Sequence, residues 1–64
     1  MNSATMANNL RKLRTEKSYT QEQVAGMLLV SPQSVSRWEC GTTLPEVTLL
    51  PEIAKIYGDT IDDL

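Results

Sequence analysis

Apolar residues recur along this chain at intervals of three and four, the spacing of one face of an α-helix. Leu10 and Leu13 begin the pattern, and Val24, Ala25 and Leu28 continue it. Val35 and Trp38 follow, then Leu49, Ile53 and Ile56. Alternation with period two, the mark of a half-buried strand, is nowhere visible. The chain therefore reads as all-α, and the breaks between stripes divide it into short helices.

Punctuation residues place the ends. A first helix is predicted over residues 7–17, with residues 1–6 as a flexible N-terminal leader and 7–64 as the folded domain. Thr20 has Gln23 three residues on, a capping-box arrangement that opens a second helix over 21–28. Tyr19 before the cap and Val24 after it are spaced as a hydrophobic staple. Ser31 followed by Pro32 opens a third helix over 32–40, because Pro at the first helical position loses no hydrogen bond. Gly41 closes it. Thr48 caps a fourth helix over 49–57, with Pro51 in its first turn and Gly58 after it. Thr60 and Asp63 resemble one more cap, opening a short fifth helix with Ile61 and Leu64 inward. The expected architecture is a compact five-helix domain.

Size and composition narrow the class. With 64 residues, 41% of them hydrophobic, the chain can hold one small core. It has no His and a single Cys, Cys40, which leaves no internal disulfide, no evident metal site and no catalytic Cys–His pair. A reducing, cytoplasmic compartment fits that cysteine usage. No apolar run suits a membrane span, and no phosphate-cradling Gly-rich loop is present. An enzyme is not expected, nor a cofactor, nor a small-molecule site. The net charge is −2, yet it is polarised. Residues 1–40 carry a balance of +2 and residues 41–64 a balance of −4. Such a domain can turn one positive face toward phosphate, with modest affinity for a single copy.

The second and third helices are separated by only about three residues, the geometry of a helix-turn-helix. A tight turn sets the third helix at a steep angle, so that it can enter a major groove ~12 Å wide. With Val35 and Trp38 inward, helical periodicity puts Gln33, Ser36 and Arg37 on the outward face. Glutamine can pair bidentately with adenine and arginine with guanine.

In sequence, Thr20-Gln21-Glu22-Gln23-Val24-Ala25, then Val30-Ser31-Pro32-Gln33-Ser34-Val35-Ser36-Arg37-Trp38-Glu39, then Gly41 and Leu44-Pro45, resembles the Cro-type phage-repressor family, also called the xenobiotic-response-element family. The resemblance runs from about Leu10 to the C-terminus. It implies a lambda-repressor-like fold and a sequence-specific DNA-binding domain of a transcriptional regulator, more often a repressor. Such a domain acts as a homodimer on double-stranded DNA at a palindromic operator. The alternative is a protein-binding module such as an antitoxin, with DNA binding secondary. Gln33 and Arg37 match base-reading positions, with Ser36 beside them. Gln21 and Ser34 match phosphate contacts, and Thr43 in the following loop is a further candidate. Arg14 and Glu39 match a partly buried ion pair between the first and third helices.

One residue departs from the family. Leu29 fills a turn position where relatives usually carry Gly, which suits positive φ. Either the turn takes another conformation here or the domain carries strain. Gly26, inside the second helix, is mildly unfavourable relative to Ala.

Overall fold

The computed structural model describes residues 3–58. Among them are four α-helices: α1 (Ser3–Glu16), α2 (Gln21–Leu28), α3 (Pro32–Cys40) and α4 (Leu50–Tyr57). A single 3₁₀ turn, Val47–Leu49, leads into α4. The fifth helix expected after Thr60 lies outside the described residues. The described architecture is all-helical, with α3 packed against both α1 and α2.

Caps fix where α2 and α3 begin. Thr20 Oγ1 accepts from the Gln23 N–H at 3.0 Å, and Gln23 Oε1 accepts from the Thr20 N–H at 2.8 Å. This reciprocal box satisfies two donors that a helix start otherwise leaves unpaired. Ser31 Oγ accepts from the Ser34 N–H at 3.2 Å, and Pro32 stands in the first turn. At the other end of α3, Gly41 adopts φ +78°, and the Thr42 N–H closes the helix on the Arg37 carbonyl at 3.0 Å. A left-handed residue there lets the chain reverse while satisfying the last carbonyls.

The core joins every helix. Leu10 from α1, Val24, Ala25 and Leu28 from α2, Val35 and Trp38 from α3, and Ile53 and Tyr57 from α4 are all buried. Tyr19 and Val30, the residues before the two caps, pack against this cluster. Burying a large apolar side chain contributes about 1.5–3 kcal/mol each, the main favourable term for so small a domain.

Two boundaries differ from the sequence expectation. Helix α1 begins at Ser3 rather than near residue 7, and Met6 is only 4% exposed, in the core. Residues 3–6, expected to lie in a flexible leader, are thus part of this helix. Met6 stands four residues before Leu10, so it extends the same inward stripe by one turn. The α4 boundary also shifts. Thr48 does not cap it; residues 47–49 form the 3₁₀ turn, and no side chain caps α4.

Candidate nucleic-acid interface

Leu28, Leu29 and Val30 carry the chain between α2 and α3 in a sharp reversal. Leu29 adopts φ +60° and ψ +41°, the left-handed conformation, and is 92% exposed. Its N–H donates to the Ala25 carbonyl, and the Val30 N–H donates to the same carbonyl at 3.0 Å. The turn position for which the sequence resemblance implies Gly is therefore filled here by Leu in the left-handed conformation. A left-handed L-residue costs about 1–2 kcal/mol, and a side chain standing in solvent recovers little of that. Ser18, between α1 and α2, shares this conformation at φ +60°.

The turn leaves α3 with two distinct sides. Val35 and Trp38 are buried, while Gln33 and Arg37 are exposed. Gln33 and Arg37 are four residues apart, about one turn, and so share a face. Ser36 is half-buried beside them. Ser34, also half-buried, has its Oγ 3.0 Å from Ser31 Oγ. Thr43 is exposed in the loop that follows α3.

Behind this face, Arg14 and Glu39 lock α1 to α3. Arg14 Nε donates to Glu39 Oε2 at 2.7 Å, and Nη2 donates to Oε1 at 3.0 Å. Arg14 Nη1 donates to the Tyr19 carbonyl at 2.9 Å, so the same guanidinium also holds the approach to α2. Hydrogen bonding to the Glu39 carboxylate raises the Arg14 pKa above its ordinary value, against the opposing effect of burial. Tyr57 of α4 is pushed up to about 12, first by burial and then by the negative charge of Glu39.

Gln21 joins this cluster, which sequence reasoning did not foresee. Its Nε2 donates to Glu39 Oε1 at 3.2 Å. The first residue of α2 is thereby tied to the last turn of α3. Gln21 also lines an open groove of about 620 Å³ that it shares with Arg14, Tyr19, Thr20, Glu22, Pro32 and Gln33. The groove runs from the start of α2 to the start of α3. No local sequence signal reports the Gln21–Glu39 contact, because the two residues meet only when the turn at Leu29 sets the helix angle.

An exposed polar face on α3, a tight left-handed turn between two capped helices and a polar groove at the two helix starts together form a helix-turn-helix of the nucleic-acid-binding kind. Comparison with known proteins agrees. The helix-turn-helix family model matches residues 10–64. The chain is 46% identical over 55 residues to the HTH-type transcriptional activator BcrR of Enterococcus faecalis, covering 86% of this chain and 27% of that protein. It is 33% identical over 58 residues to the cryptic phage CTXphi transcriptional repressor RstR of Vibrio cholerae, covering 91% of this chain and 52% of the repressor. It is 37% identical over 59 residues to the uncharacterized HTH-type transcriptional regulator MJ0272 of Methanocaldococcus jannaschii, covering 92% of this chain and 89% of the other. No solved structure matches. The chain belongs to the helix-turn-helix family, of the Cro and xenobiotic-response-element type. It spans about a quarter of the length of the activator and about half that of the phage repressor. Among the described residues, no helix is long and apolar enough to cross a membrane.

Proposed function

We propose that this chain is the operator-reading domain of a cytoplasmic transcriptional regulator, and that it lays α3 in the major groove of a palindromic DNA site as a homodimer. One observation carries the reading. Gln33 and Arg37 are exposed one turn apart on the side of α3 opposite its buried Val35 and Trp38. Polar groups of that kind on one face suit base edges: Gln33 for adenine, Arg37 for guanine, with Ser36 as a shorter partner. Around them, Gln21 at the start of α2, Ser34 in the first turn of α3 and Thr43 in the loop after it serve as backbone contacts. These fix register and carry no sequence information themselves. With a net charge of −2, binding relies on neutral donors and a local basic face more than on bulk charge. Repression by obstruction is the outcome this architecture supports most simply.

Selection of bound sequences from random duplexes tests the proposal. Enrichment of a two-fold symmetric site, with half-sites about one helical turn apart, is the expected result. Failure to enrich any sequence would refute it and favour a protein-binding module, such as an antitoxin, instead.

A further inference from the structure

We propose that Glu39 is a positioning residue for the DNA-backbone contact, acting through Gln21. The proposal rests on the reading of Gln21 as a phosphate-binding side chain. Glu39 is only 4% exposed, and its two oxygens accept three hydrogen bonds from side chains. Two come from Arg14. The third comes from Gln21 Nε2 at 3.2 Å, on the same Oε1 that takes Arg14 Nη2. The carboxylate thus serves an ion pair and also orients an amide at the rim of the groove.

A glutamine amide nitrogen carries two N–H donors. Glu39 takes one, which fixes the plane of the amide and leaves the second N–H to donate to an incoming oxygen. Gln21 is half-buried and lines the open groove between the starts of α2 and α3, so that second donor has access to a ligand. A glutamine in free solution would have to give up its rotamer freedom on binding. Here much of that ordering accompanies folding instead. Immobilising one such side chain before binding is worth about threefold to tenfold in affinity per half-site. Arg14 neutralises the Glu39 carboxylate by direct pairing, so that carboxylate does not itself repel a phosphate approaching Gln21. The exposed Glu22 carboxylate also lines the groove and opposes an anion there, so the contact rests on the Gln21 donor rather than on a positive field.

A double-mutant cycle in DNA affinity tests this. One arm replaces the ion pair as a unit (Arg14→Met with Glu39→Met), because a paired apolar replacement preserves folding better than the loss of one partner. The other arm is Gln21→Ala. Affinities are measured for the selected operator and for an unrelated duplex. The pair replacement is expected to weaken both about threefold to tenfold per half-site in the Gln21 background, and less than twofold in the Gln21→Ala background. An equal loss in both backgrounds would overturn the proposal and leave Glu39 a purely structural role. If Gln21→Ala alone leaves affinity unchanged, the backbone-contact reading of Gln21 fails first, and the positioning role fails with it. A second measurement uses the unaltered protein. The Gln21 side-chain amide should be as ordered by NMR relaxation in the free domain as in the DNA complex. An amide that averages freely before binding would overturn the proposal even if the replaced pair does not fold.

Discussion

Arg14 grips Glu39 through two parallel hydrogen bonds, Nε to Oε2 at 2.7 Å and Nη2 to Oε1 at 3.0 Å, across 25 residues of sequence. The Glu39 side chain is almost wholly buried, and that of Arg14 is only 15% exposed. Removing one partner strands the other charge away from water, which costs about 3–5 kcal/mol. A domain of this size has a total stability of only roughly 3–10 kcal/mol. Arg14→Met alone should therefore lower stability by about 3–5 kcal/mol, a third or more of the total, and lower the melting temperature sharply. Arg14→Met combined with Glu39→Met should be clearly more stable than the single variant. Thermal unfolding of the two proteins measures this. A double variant less stable than the single one would mean that the pair contributes through something other than mutual charge compensation.

The turn between α2 and α3 yields a stabilising substitution. Leu29 sits at φ +60° with its side chain in solvent, so replacing it relieves backbone strain and loses little packing. Leu29→Gly should raise stability by about 1 kcal/mol, the left-handed penalty less the extra entropy of glycine in the unfolded chain. Chemical denaturation resolves a change of that size. Destabilisation would show that the Leu29 side chain is held in a contact that the exposed conformation does not provide.

Tyr57 makes stability depend on alkaline pH. Its pKa in the fold is about 12, above the unperturbed value of 10.0, because it is buried and faces the charge of Glu39. The folded state then holds its proton more tightly than the unfolded chain does. The stabilisation is complete below about pH 10 and is lost progressively as pH rises through about 12. Tyr57→Phe should remove this part of the alkaline destabilisation while keeping the ring in the core. Denaturation curves at several alkaline pH values compare the two proteins. Identical pH profiles would contradict the buried, raised phenol.

Much of this fold is legible because its signals are local. The Thr20–Gln23 box, the Ser31-Pro32 start and the Gly41 stop each act within four residues, so the chain itself declares α2 and α3. The inward positions of Val35 and Trp38 follow from helical period alone, and they leave Gln33 and Arg37 on the other side. What escaped depends on neighbours distant in sequence. Met6 lies among polar residues, and its membership of the core becomes plain only once Leu10 is docked; its i, i+4 spacing to Leu10 was the available clue. The 3₁₀ turn before α4 replaces a Thr48 cap that propensity favours. At Leu29 the sequence alone is compatible with either a strained or a different turn, and the structure takes the strained, left-handed one. The Gln21–Glu39 hydrogen bond has no sequence signature at all.

The central claim is that α3 reads bases through Gln33 and Arg37, and affinity for the selected operator and each of its single-base variants tests it most directly. Gln33→Ala and Arg37→Ala should both stay folded, since both side chains are exposed. Arg37→Ala should lose ~1–3 kcal/mol of discrimination at one base pair, and Gln33→Ala a similar amount at an adjacent one. Gln21→Ala should weaken binding to every sequence about equally, because backbone contacts do not distinguish bases. If both α3 variants remain folded and keep the base preferences of the unaltered protein, α3 is not the reading element and the account is wrong at its centre.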